Sequence, residues 1–310
     1  MPTDAAGVVD VPMTAAAAVA LAVGLDLLVG EPPNRLHPVA WFGRLVAPVD
    51  RAWNRPRLAG VLAALALPLL AAGTVAAVVR LASRVDPWAG AVVAGLALAA
   101  TTSLRMLVAE ALRVVRLSTE DIAAAREALR SLAGRDAGEL SPGLLRSAAV
   151  ESAAENLADG FVAPLAAFAV LAPFSLTLAA AGAAWVKAVN TLDSMLGYHS
   201  KPVGWASARL DDLVMWLPAR LSALLLAQVA GRPRALWRAR QWLPEVPSPN
   251  SGWPMGTLAA ALEVRLEKPG VYVLNAGASH PSPRTAQRGV LQVASSGVVA
   301  TILAGVVAWL

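Results

Sequence analysis

The amino-acid sequence predicts an all-α integral membrane protein, a polytopic helix bundle with amphipathic helices on its cytoplasmic side. Hydrophobic residues make up 57% of the 310 positions. Charged residues make up only 15%, whereas an ordinary soluble domain carries about a quarter. Several uncharged apolar stretches approach the roughly 20 residues that a helix needs to cross a bilayer. Together these features favour a multi-pass protein of the cell membrane.

Four apolar segments are predicted to span the membrane, namely 13–29, 58–79, 87–104 and 289–310. Two others are ambiguous. Segment 160–186 contains two prolines, so it is either one long span or the two legs of a re-entrant hairpin. Segment 213–231 carries Arg220 in its middle. Because a central arginine is costly in lipid, this segment is expected to face protein or the membrane interface.

The distribution of arginine predicts the orientation. The loop 30–57 holds five arginines against two acids, and 105–151 holds seven arginines. Since cytoplasmic loops are enriched in basic residues, both are expected in the cytoplasm, with the amino terminus outside. The prediction is a single membrane domain over 1–310 whose catalytic region, about 105–288, lies on the cytoplasmic side.

Between these spans the pattern predicts amphipathic helices. One helix is expected over 104–132, ended by the glycine in Ser-Leu-Ala-Gly-Arg at 131–135. Another is expected over 255–266, followed by a turn at 268–270 and a short strand at 271–274.

Several function classes are excluded by what the sequence lacks. There is no cysteine, so disulfides, thiolate metal sites and cysteine nucleophiles are ruled out. The arginines are scattered and not interleaved with aromatic residues, which argues against nucleic-acid binding. The sequence has no P-loop, dinucleotide-binding, zinc-protease or serine-hydrolase motif. Any ATP site must therefore differ from a P-loop.

Three carboxylates, Glu151, Glu155 and Asp159, recur at every fourth position, with Asn156 beside them. On an α-helix they form one stripe, since each step drifts by only about 40°. The sequence has no basic residue between positions 146 and 187 to support them. The stripe therefore suggests a Mg²⁺ ion that escorts a phosphate. The alternative is an exposed helix face that pairs with arginines from elsewhere in the bundle.

A second cluster follows the apolar segment, where Lys187, Asn190 and Asp193 are spaced by one helical turn. Such a set can hold a metal-bound phosphate, with Lys187 as counter-charge. It can equally be a helix end at the membrane edge, with the lysine reaching toward water.

Arg209, Asp212 and Arg220 form a third group. A guanidinium in an apolar run needs an anion, so Arg220 is expected to bind either a neighbouring carboxylate or a substrate phosphate. Asp212 either joins the site or caps a helix.

The fourth candidate is a loop before a predicted helix, whose candidate binding residues are Ser248, Asn250, Ser251, Gly252 and Trp253. Small residues just before a helix can offer backbone N–H groups to phosphate, although many Asn-Ser-Gly turns look similar.

Taken together, these blocks resemble the adenosylcobinamide-phosphate synthases, the CobD/CbiB family of cobalamin biosynthesis. The matching blocks are D-x-x-x-G-E-P with H-P at 37–38, S-L-A-G-R at 131–135, E-S-x-A-E-N-x-x-D-G-x-x-A-P at 151–164, K-A-x-N-T-L-D-S-M-x-G-Y at 187–198, A-R-x-D-D-x-x-x-x-x-P-A-R-L at 208–221 and S-P-N-S-G-W-P-M at 248–255. They occur in the family's order over about 26–274. The chain departs from the family at 244–247 and at Met215, where a basic residue and an asparagine are common.

The resemblance implies a ligase that uses ATP to join aminopropanol phosphate or ethanolamine phosphate to a propionate of adenosylcobyric acid. It also implies Mg²⁺, a corrinoid substrate, contact with membrane lipid, and an active site facing the cytoplasm. Assembly with further copies of the chain or with other cobalamin enzymes is left open.

On this interpretation the metal ligands are Glu151, Glu155, Asp159 and Asp193, with one carboxylate as base. Lys187, Arg209 and Arg220 would neutralise phosphoryl oxygens.

Two other functions stay open at this point. An intramembrane prenyltransferase also binds Mg²⁺-pyrophosphate through aspartates, although it usually has a tighter aspartate spacing. A transporter or a non-enzymatic partner of corrinoid enzymes is the second, although the sequence shows no paired halves.

Overall fold

The computed structural model describes residues 11–133, 137–198 and 200–310, and these residues form an almost entirely helical protein. The helices are α1 (Val11–Leu28), α2 (Pro38–Val46), α3 (Pro56–Val85), α4 (Pro87–Thr101), α5 (Arg105–Glu120), α6 (Ile122–Ala133), α7 (Pro142–Asn156), α8 (Ala163–Leu171), α9 (Leu176–Leu196), α10 (Trp205–Val214), α11 (Trp216–Val229), α12 (Arg234–Ala239), α13 (Gly252–Leu262) and α14 (Pro283–Trp309). A π-helical segment, Leu157–Val162, joins α7 to α8. Strands β1 (Leu266–Lys268) and β2 (Tyr272–Leu274) form one antiparallel hairpin.

Four helices in the described part of the chain are long and apolar enough to cross a membrane. They are Pro56–Val85, Pro87–Glu120, Pro142–Leu171 and Pro283–Trp309. The first, second and fourth contain most of the predicted spans 58–79, 87–104 and 289–310. The predicted span 13–29 corresponds to a shorter apolar helix, Pro12–Leu28. The prediction of a polytopic, all-α membrane protein is confirmed.

The two ambiguous apolar segments are both interrupted. Segment 160–186 is a helical hairpin, because a turn at 172–175 separates α8 from α9. The side chain of Ser175 accepts a hydrogen bond from the backbone N–H of Leu178 and so begins α9. The second segment is bent by 47° where α10 gives way to α11, at Met215.

Two predicted helices were too long. The expected helix 104–132 is broken at Asp121, whose carboxylate accepts the N–H of Ala124 at 3.0 Å and starts α6. The glycine stop expected at 134 lies outside the described residues. The expected helix 255–266 ends at Glu263, whose φ of 57° is left-handed and incompatible with a continuing helix. The turn at 268–270 and the strand after it are confirmed, with Leu266 opposite Leu274 across the hairpin.

The chain divides into two compact units. Unit 1 comprises 1–102, 164–208 and 301–310, and unit 2 comprises 103–163 and 209–300. The prediction of a single membrane domain stays a prediction.

In unit 1, close backbone contacts depend on small residues. The α-carbon of Gly60 on α3 faces the carbonyl oxygen of Val203, and a β-carbon at position 60 would overlap it. Gly95 on α4 packs against the carbonyl of Ala18 on α1. A β-carbon at position 95 would lie only 2.9 Å from that carbonyl oxygen. Apolar lipid offers no hydrophobic force that brings membrane helices together, so their association depends on close packing. Small residues at the crossings permit this close approach.

In unit 2, α5, α6 and α7 pack together, as do α11, α12 and α13. Strand β1 lies against α7, and α11 packs against the π-helical segment. Leu145, Met255, Leu258 and Leu266 are fully buried among these elements. Unit 2 therefore fixes the start of the acidic stripe within a packed core.

Replacing Gly60 with alanine should destabilise unit 1 by about 1–3 kcal/mol, since overpacking of this kind forces the backbone to shift. Gly73 lies on the same helix with nothing within 4 Å of an added β-carbon. Gly73→Ala should therefore be neutral or stabilising, as expected of alanine in an open helix position. Thermal unfolding of both variants in detergent would measure this. Equal unfolding temperatures would contradict the close approach at Gly60.

Candidate functional site

The stripe begins with a carboxylate that is fully buried. Glu151 on α7 is 0% exposed, and its two oxygens accept hydrogen bonds from hydroxyls. Ser147 Oγ donates to Oε1 at 2.7 Å, and Tyr272 Oη donates to Oε2 at 2.8 Å. Ser147 Oγ in turn accepts the backbone N–H of Glu267 at 2.7 Å. Glu151 therefore joins the β-hairpin to α7, and its predicted role as a metal ligand stays a prediction.

The next two carboxylates are differently placed, because Glu155 and Asp159 are only half-buried. The helix changes to π geometry from Leu157, with i→i+5 hydrogen bonding and more residues in each turn. Four residues make slightly more than one full turn of an α-helix but less than one turn of a π-helix. Asp159 therefore lies closer to the helix face of Glu155 than it would on a straight α-helix. Asn156, also half-buried, donates from Nδ2 to the carbonyl of Ser152 at 2.9 Å. The accessible part of the stripe is thus Glu155, Asn156 and Asp159.

These oxygen donors suit Mg²⁺ held mainly by substrate. Across the described residues, no three His, Asp or Glu side chains come together in a way that would hold a metal by themselves. Mg²⁺ usually keeps several waters and binds one or two carboxylates together with substrate phosphates. Glu155 and Asp159 fit that smaller requirement, whereas a magnesium cage made by protein alone does not fit.

In unit 1, Lys187, Asn190 and Asp193 lie on α9 and are all half-buried. The helix around them is regular, with the hydroxyl of Thr191 donating to the carbonyl of residue 187 at 2.8 Å. Near the end of α9, a β-carbon at Gly197 would overlap the Asp193 carboxylate. Position 197 must therefore be glycine for the carboxylate to keep this orientation.

Lys187 and Thr191 also line a cavity of about 380 Å³ in unit 1, formed by α2, α3, α4 and α9. The rest of its wall is almost wholly apolar, and Lys187 is the single charged group among the described residues that line it.

In unit 2, Arg220 is held by neutral groups. Its NH1 donates to Asn250 Oδ1 at 2.5 Å and to the carbonyl of Trp216 at 2.9 Å, and NH2 donates to the carbonyl of Pro249 at 3.3 Å. The guanidinium lies 4.7 Å from the Trp216 ring centroid and 5.2 Å from that of Trp253. The expectation of a carboxylate partner for Arg220 is thus replaced by an aromatic and amide environment.

The loop before α13 is organised internally. Ser248 Oγ accepts the backbone N–H groups of Asn250 and Ser251 at 3.2 and 3.3 Å. Asn250 Nδ2 donates to the carbonyl of Asp212 at 2.8 Å, which ties the loop to α10. The backbone N–H groups of residues 250 and 251 thus already have an acceptor within the loop. The predicted role of this loop in phosphate binding stays a prediction. Gly252, the first residue of α13, is buried.

Arg209 and Asp212 form a surface ion pair one turn apart on α10, with 3.4 Å between NH1 and Oδ2. The Arg209 side chain is 70% exposed. Exposed pairs of this kind contribute little to stability, so the arginine can exchange partners readily.

The amino-terminal block has a structural explanation. His37 begins α2, since its Nδ1 accepts the N–H of Val39 at 3.2 Å. Its Nε2 then faces Glu31 at 3.7 Å. Two other motif positions, Arg135 and His199, lie outside the described residues.

Sequence reasoning missed Ser147 and Tyr272. Ser147 had a local signal, because it precedes Glu151 by four positions and shares its helix face. Tyr272 had none, since 121 positions separate it from Glu151 along the chain.

Comparisons with known proteins place these features in a family. A family model described as CobD/Cbib protein matches residues 19–296. The chain is 38% identical to a probable cobalamin biosynthesis protein CobD of Methanothermobacter thermautotrophicus, over 82% of this chain and 84% of the relative. It is 37% identical to a cobalamin biosynthesis protein CobD of Rhodobacter capsulatus, over 96% and 98%. It is 38% identical to the cobalamin biosynthesis protein CbiB of Salmonella typhi, over 86% of both chains. No solved structure matches the chain.

Tyr272→Phe should destabilise unit 2 by about 1–3 kcal/mol, because it removes a hydroxyl donor from a buried carboxylate. Tyr198, the other tyrosine, is exposed and stacks its ring under Lys201 at 5.0 Å, so Tyr198→Phe keeps that contact. Chemical denaturation monitored by circular dichroism would compare the two variants. An equal effect of both changes would show that the Tyr272 hydroxyl does not secure the hairpin.

Proposed function

The chain belongs to the CobD/CbiB family of cobalamin biosynthesis proteins, and on this premise we propose that it is an adenosylcobinamide-phosphate synthase. It would join the amine of aminopropanol phosphate, or of ethanolamine phosphate, to a propionate of adenosylcobyric acid. ATP supplies the energy for the amide bond. Support comes from the family match over residues 19–296 and from relatives named for cobalamin biosynthesis that align over most of their length.

One structural observation supports this chemistry most directly: the half-buried face of Glu155, Asn156 and Asp159 next to a fully buried Glu151. A π-helical turn carries this face, and such turns occur frequently at functional sites. All three substrates bear phosphate or carboxylate groups. An accessible set of hard oxygen ligands suits Mg²⁺ bound to those groups.

The reaction divides into two steps. A carboxylate oxygen of the propionate attacks the terminal phosphorus of ATP, forming an acyl phosphate and releasing ADP. The amine of the second substrate then attacks the acyl carbon, the C–N bond forms, and inorganic phosphate leaves with the former carboxylate oxygen. The ammonium form of the amine must lose a proton before its attack, so a carboxylate base is required nearby.

The residues divide by charge into two roles. Glu155 or Asp159 takes the ammonium proton, and the other helps to bind Mg²⁺. In unit 1, Asn190 and Asp193 offer oxygen ligands of the kind that Mg²⁺ takes. When bound, Mg²⁺ neutralises phosphate oxygens and so lowers the cost of charge that develops during transfer. Arg209 in unit 2 binds phosphoryl oxygens, a task that dominates catalysis of phosphoryl transfer. In unit 1, Lys187 offers a second cation that suits such an oxygen.

Arg220 and the 248–253 loop form the wall of a binding surface. The indole of Trp216 is 56% exposed and stacks on Arg220, so it offers a flat apolar face. Such a face suits the edge of a corrin ring or an adenine base. The hydrogen bonds of Arg220 to Asn250 and Pro249 hold this surface rigid before substrate arrives.

The active site is proposed to face the cytoplasm, where ATP and the phosphorylated amine are dissolved. This follows from the arginine-rich loops predicted for that side. Assembly into oligomers or with other enzymes of the pathway is compatible with this arrangement.

The purified protein should convert adenosylcobyric acid and aminopropanol phosphate into a product heavier by the amine minus water. Formation of this product should require both ATP and Mg²⁺. Mass spectrometry of the corrinoids would follow the conversion, with ethanolamine phosphate as a parallel donor. Absence of product from folded protein would contradict the ligase assignment. Dependence on an isoprenyl diphosphate, or corrinoid uptake into vesicles without conversion, would favour the other two functions.

Glu155→Gln should slow amide formation by about 10²-fold or more, the usual contribution of a positioned base or metal ligand. Glu127→Gln is the matched control, because Glu127 is an exposed glutamate on α6 that pairs with Arg130 at 2.9 Å. The control should retain full activity. Full activity of Glu155→Gln at saturating Mg²⁺ would remove Glu155 from the catalytic set.

A further inference from the structure

A second pocket, rich in arginine, lies in unit 2 and has no part in the proposed reaction. It has a volume of about 430 Å³ and is lined by Gly231, Arg232, Pro233, Arg234, Ala235, Arg238, Ala260 and Glu263. Three of these residues are cationic and one is anionic, so the lining has a formal charge of +2. Such a surplus on one concave surface favours an anionic ligand.

The local sequence determines this arrangement. After α11, Gly231 takes a left-handed φ of 64°, and the N–H of Arg232 bonds back to the carbonyl of Ala227 at 2.9 Å. This sharp reversal brings the chain into α12 at Arg234. Arg234 and Arg238 are four positions apart and therefore share one face of the helix.

Glu263, the acidic residue among those that line the pocket, already forms an ion pair with an arginine. Glu263 ends α13 with a left-handed φ of 57° and pairs with Arg232 NH1 at 2.6 Å. The positive surplus of the lining is therefore carried by Arg234 and Arg238. Guanidinium groups bind phosphate oxygens in a bidentate manner, which makes phosphate the ligand class that fits.

The surroundings indicate where that phosphate comes from. On α11, Leu217 and Leu224 are spaced by seven residues and are 53% and 44% exposed, which leaves an apolar stripe uncovered. The same helical face continues to Gln228, near the end of α11 and three residues before the pocket begins at Gly231. Trp237 on α12 is 65% exposed and stacks with Arg240 at 5.4 Å. Exposed tryptophan and arginine beside an apolar stripe are typical of a membrane–water interface.

We propose that this pocket binds the phosphate of an anionic membrane lipid, with Arg234 and Arg238 on the headgroup and the Leu217–Leu224 stripe along an acyl chain. Charge complementarity and the exposed apolar stripe on α11 distinguish this ligand from a soluble phosphate, which needs no apolar surface. The site lies on different residues from the proposed catalytic set. Lipid binding can therefore be measured without reference to amide formation.

The full-length protein in detergent would be equilibrated with equal amounts of phosphatidylglycerol and phosphatidylcholine, and retained lipids counted by native mass spectrometry. We expect preferential retention of phosphatidylglycerol. The double change Arg234→Gln with Arg238→Gln should reduce that preference by about tenfold, because each basic residue near an anionic headgroup contributes to binding. Replacement of both by lysine should restore part of it, which separates charge from folding.

The matched control is Arg113→Gln with Arg130→Gln, which removes two exposed arginines of unit 2 outside the pocket. This control should keep the lipid preference. In a second arm, binding of inorganic pyrophosphate to the same lipid-free proteins is measured by equilibrium dialysis. If the pocket variant loses pyrophosphate but keeps phosphatidylglycerol, the lipid assignment is overturned in favour of a soluble phosphate. If neither ligand is affected, the pocket is not a phosphate site.

Discussion

The packing of unit 2 depends on the hydrogen bonds that stabilise the fully buried carboxylate of Glu151. A buried charged or polar group is costly unless hydrogen bonds satisfy it. Glu151 meets this condition through Ser147 one turn before it and Tyr272 on the hairpin. Because both hydroxyls must reach one carboxylate, the rotation of α7 and the position of β2 are fixed together. The face that carries Glu155 then lies at the edge of this core, where the side chain is half-buried.

The π-helical segment affects the rest of the stripe. Once Glu151 faces inward, a straight α-helix would carry each later acid further around the axis. The wider turn from Leu157 cancels this drift between Glu155 and Asp159, so that two acids share an accessible face. The hydrogen bonds of a widened turn have less favourable geometry than those of an α-helix. Helix α11 packs against this turn and provides compensating contacts. The regular fourfold spacing in the sequence therefore corresponds to one buried acid and two partly accessible ones.

The spans, the turn at 268–270 and the strand after it were predictable because they depend on local composition. An uncharged run such as 58–79 is expected to form a helix in lipid, because a helix satisfies its own backbone hydrogen bonds. A Lys-Pro-Gly sequence favours a turn. The environment of Glu151 was not predictable, since its partner Tyr272 is distant in the chain. The hydrogen bonds of the backbone N–H groups in the 248–253 loop were also not predicted. Ser248 competes for the N–H groups of the next residues, as serine often does in turns, and the sequence alone does not show which partner is preferred.

The same limit explains why charge alone did not reveal the neutral partners of Arg220. The chain has 26 lysines and arginines, and only three are lysine. A guanidinium is planar and weakly hydrated, so it can stack on indole rings and donate to carbonyls without a carboxylate. Arg220 does so between Trp216 and Trp253. An arginine in an apolar run thus indicates only that a planar donor is needed. An excess of arginines over acids in one concave lining, as at Arg234 and Arg238, is the stronger indication of an anionic ligand.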